Sequence, residues 1–361
     1  MKKTVDISLP VGPMHPCFKE PCRIKCETRG EYVLAAEVEL GYVKKGIERI
    51  MRGRPWQEVM FLAERVCGIC SVIHNFVFIE SVEHISGIVP TERAAYLRVI
   101  VNELDRMQSH LLANYSYCYT IEHETLAMYL LNLRETVMDQ LELITGARVT
   151  CAFIVPGGVR CDISSDIADE LRSALDHIDA ELTRFIRIFE TGPLIGLRSK
   201  GIGILTKDAA IESHAVGPTA RASGIDNDQR STHPTYTALG FSPVIRQEGD
   251  NFARIMVRFE EVFQSIRLIR SALEAMREGP IRGGGTIKAG SIRYRGEAPR
   301  GELLYELTTD DYGRILEIAI QTPSIPNIQV CAHAMLIDAQ SAADITSIFI
   351  SSDPCIACTE R

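Results

Sequence analysis

Two Cys-x-x-Cys pairs stand near opposite ends of this chain of 361 residues. The first is Cys67-Gly68-Ile69-Cys70, preceded by Arg65-Val66 and followed by His74. The second is Cys355-Ile356-Ala357-Cys358, preceded by Asp353-Pro354 and followed by Thr359-Glu360-Arg361. Two intervening residues let the chain turn back, so each pair presents two sulfurs to one metal. Four thiolates make a soft, roughly tetrahedral site suited to zinc, an iron–sulfur centre or nickel. A metal held by both pairs ties the segment around Cys358 into the core. Spacing alone leaves a structural zinc staple and a catalytic metal equally open.

A scaffold must bring these distant segments together. Residues 22–41 alternate apolar and polar around Arg29-Gly30-Glu31 and read as a β-hairpin. Long helical patterns follow. Residues 91–118 open at Pro90-Thr91-Glu92, residues 121–145 end at Gly146, and residues 164–190 run from Ser164-Ser165-Asp166 to a stop before Gly192-Pro193. Residues 250–277 form a fourth amphipathic run. Four such helices predict a bundle. Residues 281–301, rich in Gly and Arg, read as a loop, and residues 302–321 as a second hairpin turning at Asp310-Asp311-Tyr312-Gly313. No internal repeat or linker divides residues 1–361, which read as a single domain. The expected fold class is α+β, mainly α: a long-helix bundle flanked by small β-hairpins, with the metal site between N-terminal and C-terminal segments.

Hydrophobic content of 46% and charged content of 24% are those of a globular protein. A net charge of −8 argues against nucleic acid as a partner. No apolar run is long enough to span a membrane. Met1-Lys2-Lys3-Thr4-Val5-Asp6 does not read as a signal peptide. Eleven cysteines then imply a reduced cytoplasmic setting, where Cys-x-x-Cys serves metal or redox chemistry.

Arg-x-Cys-Gly-x-Cys-x-x-x-His and Asp-Pro-Cys-x-x-Cys-x-x-Arg together resemble the large, catalytic subunit of nickel–iron hydrogenases. Both motifs match at every defining position except the final Arg, where most of that family has His. That Arg and the short length resemble the energy-converting, membrane-associated group of the Ech or carbon-monoxide-induced kind. The resemblance runs through Gly12-Pro13-Met14-His15-Pro16, through Gly41-Tyr42-Val43-Lys44-Lys45-Gly46-Ile47-Glu48, and to Glu297-Ala298-Pro299-Arg300-Gly301. It therefore covers the whole chain. The quinone-site subunit of respiratory complex I shares this ancestry but lacks the nickel cysteines. A non-catalytic protein stapled by a four-cysteine zinc site is the alternative of a different class.

The resemblance implies that Cys67, Cys70, Cys355 and Cys358 hold nickel. Cys70 and Cys358 would bridge to an iron carrying carbon monoxide and cyanide ligands, and Cys67 and Cys355 would be terminal. Cys355 would take the proton when dihydrogen is split. Arg300 would stand over the open side of the metals, Ser324 beside Pro323 would hydrogen-bond a cyanide ligand, and Glu20 would receive the proton from Cys355. Glu48 matches a position that binds magnesium together with the C-terminal His. Here that His is Arg361, which puts magnesium in doubt and offers a Glu48–Arg361 pair instead.

His74 and His110 read as groups tuning the metal thiolates, with a satisfied core histidine equally open for His110. Asp105 and Arg106 read as a local ion pair. Cys17, Cys22, Cys26, Cys118, Cys151, Cys161 and Cys331 read as small packed residues. The chain itself lacks a second cysteine set to carry electrons outward. The resemblance supplies a small subunit with a 4Fe–4S cluster, ferredoxin-type iron–sulfur subunits and integral membrane ion-translocating subunits. It places the chain in the cytoplasm, peripheral on the inner face of the cell membrane.

Overall fold

The structure is a computed structural model and describes residues 6–337, 339 and 341–361. The first five residues, part of the segment read above for a signal peptide, lie outside them. The chain is α+β and mainly helical. It opens with an antiparallel sheet of β1 (Asp6–Val11), β2 (Arg23–Arg29) and β3 (Tyr32–Glu39). The expected hairpin is β2–β3, with Gly30 in the left-handed region at its turn; β1 adds an edge strand. Helices α1 (Ile47–Met51), α2 (Trp56–Glu64) and α3 (Ser71–Ser86) follow, then the bundle helices α4 (Glu92–Thr120) and α5 (Glu124–Thr145). A two-stranded ribbon, β4 (Ile154–Val155) and β5 (Gly158–Val159), leads into α6 (Ser165–Thr191). Four short helices come next: α7 (Pro193–Ser199), α8 (Lys207–Glu212), α9 (Gly217–Arg221) and α10 (Pro234–Ala238). The last bundle helix is α11 (Asn251–Ala275).

Helix starts and packing follow from side-chain chemistry. Thr91, Ser164 and Asp250 cap α4, α6 and α11 by accepting from Ala94 N (3.4 Å), Ile167 N (3.3 Å) and Ala253 N (2.8 Å). Helix α6 buries Ala168, Leu171, Leu175, Ile178, Leu182, Phe185 and Phe189. That spacing of three and four residues is one stripe, and it faces α5 and α11. Helix α4 is the central column, packed on α3, α5 and α11.

Residues 281–301 are not the expected loop throughout. Strand β6 (Gly290–Ala298) pairs antiparallel with β7 (Gly301–Thr309), which pairs with β8 (Ile315–Gln321). Arg293 and Arg295 occupy the outward positions of an ordinary alternation whose inward side carries Ile292, Tyr294 and Gly296. The glycines and arginines masked that alternation. The β7–β8 hairpin turns where expected. The chain ends with α12 (Ser324–Val330), α13 (Ile345–Ser351) and α14 (Ile356–Thr359).

Buried charge ties β6 to the bundle. Arg221 reaches Glu261 at 2.8 Å, Glu297 at 2.7 Å and Asp228 at 3.2 Å. Arg230 reaches Asp228 at 2.7 Å and Glu103 at 3.3 Å. His110 Nε2 lies 2.9 Å from Glu261 in this network, and His110 is not among the clustered potential ligands. Burial drops its pKa to about 4, against the pull of Glu261. Burial of these groups is tolerated because each finds an opposite partner. Asp105 and Arg106 do not pair: neighbours on a helix point about 100° apart. Arg106 turns to Glu103 (3.3 Å) and Glu297 O (2.6 Å), and Asp105 accepts from Gln108 at 3.1 Å.

The β6–β7 turn carries Arg300 and is wedged against α9. Gly217 holds a left-handed backbone at φ 65, and a Cβ there would come within 2.2 Å of Arg300 O. Asn327 Nδ2 donates to Val216 O at 3.1 Å and braces the same contact. Gly217→Ala therefore combines a strained backbone with a backbone clash. It is expected to destabilise the chain by about 2 kcal/mol or more, read from the midpoint of denaturant unfolding.

Candidate metal centre

Cys67 and Cys70 lie on the turn between α2 and α3, with Cys70 at the N-cap of α3. Cys355 is the N-cap of α14 and Cys358 lies within it. All four are buried. Cys67 Sγ and Cys355 Sγ are 3.5 Å apart. The ligand atoms of Cys67, Cys355 and Cys358 lie within 4.8 Å of one another, as do those of Cys70, His74 and Cys358. Cys358 belongs to both groups, so the two pairs lie together. These are the only such groups of potential ligands among the described residues. Cys17, Cys22, Cys26, Cys118, Cys151, Cys161 and Cys331 are free and form no further one.

Several backbone anchors hold this arrangement. Glu360 accepts from Gly41 N at 2.6 Å, Tyr42 N at 3.3 Å and Val43 N at 2.7 Å, locking α14 to the end of the first sheet. Thr322 Oγ1 donates to Cys358 O at 3.1 Å. On the other pair, Lys45 Nζ donates to Val66 O at 2.6 Å, and Gln108 Nε2 donates to Ile69 O. Arg134 fixes the Gln108 amide by donating to its oxygen at 2.9 Å.

The remaining expected residues are placed as follows. Arg300 is buried; its Nε donates to Asp353 O at 2.9 Å, its Nη2 to Asp353 Oδ1 at 3.2 Å, and its Nη1 to Ser109 Oγ at 3.4 Å. Asp353, Cys355, Cys70 and Cys67 all hold its charge against burial. Glu20 Oε2 lies 3.9 Å from Cys355 Sγ and accepts from Ala357 N at 2.6 Å. Ser324 Oγ accepts from Cys355 N at 3.0 Å, which leaves its own proton free to donate. Pro323 precedes it at the start of α12. His74 Nε2 stands 3.8 Å from Cys358 Sγ, and its Nδ1 is 2.8 Å from Tyr305 OH. Burial lowers His74 to about 4, so the ring is neutral. An Nε2–H donor toward the sulfur then leaves Nδ1 to accept from Tyr305.

Glu48 is not among the clustered ligands. Its Oε1 accepts from Arg361 Nε at 3.0 Å and from Ile320 N at 2.7 Å. A guanidinium here occupies the role expected of a neutral imidazole, so these residues do not fit a magnesium ion.

The sulfurs themselves fit a soft cation. Hydrogen bonds from Cys355, Cys358 and Cys70 hold the Cys67 thiol well below the ordinary thiol range. Hydrogen bonds to Cys355, Cys67 and Cys70, with burial, push Cys358 well above it. Cys70 and Cys355 rise too: Cys358 draws each down, and Cys67 and burial overcome that. Buried sulfurs this close together resist sharing negative charge. Holding all four sulfurs deprotonated requires bound positive charge.

Lys19, Tyr305 and Glu360 were not singled out in the sequence, and Asp353 entered only as the first residue of the Asp-Pro-Cys motif, without a role. Tyr305 left one trace: it interrupts the aliphatic inward row of β7 between Leu303 and Leu307.

Comparison with known proteins agrees with this geometry. Residues 45–120 match the family described as nickel-dependent hydrogenase. Residues 121–284 and 283–361 match that described as respiratory-chain NADH dehydrogenase, 49 Kd subunit. The carbon monoxide-induced hydrogenase of Rhodospirillum rubrum is 35% identical, covering 98% of this chain and 99% of that one. The membrane-bound hydrogenase subunit alpha of Pyrococcus furiosus is 34% identical, covering 98% and 87%. A subunit of the F(420)H(2) dehydrogenase of Methanosarcina mazei is 32% identical, covering 100% and 99%. A chain in the structure of the membrane-bound sulfane sulfur reductase, an archaeal respiratory membrane complex, superposes with a TM-score of 0.92 at 26% identity over the full length of both. The chain belongs to the family that joins the large subunits of energy-converting, membrane-associated nickel–iron hydrogenases with the 49 kDa subunit of respiratory-chain NADH dehydrogenase.

Proposed function

We propose that this chain is the catalytic subunit of a nickel–iron hydrogenase that interconverts dihydrogen with protons and electrons. The observation that carries the reading is the convergence of Cys67, Cys70, Cys355 and Cys358 in one buried space. The four cysteines would hold nickel, with Cys70 and Cys358 shared with an iron bearing carbon monoxide and cyanide. Such a centre, when bound, supplies the redox chemistry and polarises dihydrogen.

The protein's part is positioning and proton handling. Cys355 takes the proton. Glu20 is its next acceptor, oriented by the Ala357 N–H so that one oxygen faces the sulfur. Arg300 covers the open side, its guanidinium fixed by Asp353 and Ser109 so that it need not reorganise as charge develops. His74, oriented by Tyr305, donates to Cys358 and stabilises its thiolate. Ser324 offers a hydroxyl proton to a cyanide ligand.

Among the described residues no further cluster of ligands leads outward. Electrons would therefore leave through a docked small subunit with a 4Fe–4S cluster and then ferredoxin-type subunits. No helix of the described residues is long and apolar enough to cross a membrane. Integral ion-translocating subunits would hold the chain, acting as one domain, at the cytoplasmic face of the membrane. The match to the respiratory-chain NADH dehydrogenase subunit and the relative in the F(420)H(2) dehydrogenase favour a second reading, the quinone-site-like subunit of a complex I-type dehydrogenase. Hydrogen-dependent dye reduction by the purified complex, together with nickel in it, supports the first reading. Zinc alone, near one per chain, would favour a structural staple, and no metal the second reading.

Glu20→Gln tests the proton step. An amide cannot accept and pass on the proton. Turnover that exchanges protons with water is expected to fall about 100-fold or more, while para/ortho hydrogen conversion at the metals persists. Loss of both activities together would mean that Glu20 supports assembly of the site.

A further inference from the structure

Two consecutive residues grip the Cys355 turn from both flanks. Glu20 holds Ala357 N, two residues after the cysteine. Lys19 Nζ reaches Asp353 Oδ1 at 3.2 Å, two residues before it. Asp353 is also the partner of Arg300, through its carbonyl and its carboxylate. Its backbone lies at φ 53, a left-handed conformation that a non-glycine residue keeps only when its surroundings fix it. Resting on the hydrogenase reading above, we propose that Lys19 is a positioning residue of the metal centre, pinning Asp353 and placing a cation beside the thiolates.

The balance of charge supports this. Asp353 by itself cancels Arg300. Arg258, buried and itself opposed by Glu261, also acts on Asp353, and Glu20 lies beside Cys355. Losing Lys19 removes one of the positive charges acting on Asp353 and near Cys355. Thiolates and cyanides gathered around the metals would carry a net negative charge, which the Lys19 ammonium would help to offset. Burial, helped by the Arg300 charge, pulls the Lys19 ammonium below the ordinary lysine range, and Asp353 and Cys355 oppose that pull. The side chain is 25% exposed and lines a small cleft with Phe18, Glu20, Asp353 and Pro354. Its loss should therefore leave the fold intact.

The test compares wild type, Lys19→Met, Lys19→Arg and the double variant Lys19→Met/Asp353→Asn in the purified full complex. Resting-state infrared bands of the diatomic ligands and the pH profile of turnover are recorded. Lys19→Met should move the bands to lower wavenumber, since losing a nearby cation leaves more electron density on the iron. The acid limb of the profile should shift up by about one pH unit, and turnover should drop about tenfold, the order expected for one unit charge in a site of intermediate dielectric. Lys19→Arg should keep the wild-type bands. The double variant should return them toward wild type, because Asn tolerates the left-handed backbone and removes one negative charge. If Lys19→Met does not assemble, Lys19→Gln serves in its place with the same expected shift. Wild-type bands and pH profile in the charge-removing variant would overturn the role of Lys19 alone. Absence of diatomic bands in the wild type would overturn the hydrogenase reading and this proposal with it.

Discussion

Replacing any one of Cys67, Cys70, Cys355 or Cys358 by Ser is expected to abolish dihydrogen turnover and nickel retention while the fold persists. Ser is nearly isosteric, so the packing of these buried positions changes little. The donor changes greatly: an alcohol stays protonated near neutral pH and is a hard ligand where nickel needs a soft one. The loss should exceed about 1000-fold at each position, because the ligands act as one unit and removing a single member disables the whole. Nickel content per chain and hydrogen-dependent dye reduction check the outcome, with far-ultraviolet circular dichroism as the control for folding. A Ser variant that keeps normal turnover and nickel would remove that residue from the site.

Arg300→Lys is expected to cut turnover by about 100-fold or more with the metals still bound. Arg300 donates at once to a carbonyl, a carboxylate and the Ser109 hydroxyl, and that fork fixes where its charge sits. Lysine carries the same charge on a flexible stem and a compact head, so it cannot meet the three partners in one plane. The ligand set does not include Arg300, so metal content should match wild type. Unchanged turnover would reduce Arg300 to a structural anchor of the β6–β7 turn. Loss of metal alongside activity would make it a folding residue of the site.

The four clustered cysteines stood out in the sequence because two Cys-x-x-Cys pairs have the residue type and spacing that metal ligation demands. The bundle helices were legible for a similar reason: α6 writes its single buried stripe in intervals of three and four. Helix α3 was not. It is buried on nearly every side, so its sequence lacks the one-sided periodicity that betrays a surface helix. Strand β6 hid behind glycines and outward arginines. Pairings were harder still. Asp105 and Arg106 are adjacent in sequence and part company on the helix, while Lys19 meets Asp353 from the opposite end of the chain. Nothing in local sequence encodes such a contact, because tertiary packing alone brings the partners together. Glu48 and Arg361 could be matched beforehand only because the resemblance placed both beside the same centre.

The most direct measurement is the infrared spectrum of the purified complex in the region where metal-bound diatomic ligands absorb. Carbon monoxide and cyanide bands, lost in the Cys70→Ser and Cys358→Ser variants, are the predicted result. A complex that carries zinc or no metal and shows no such bands would contradict the account.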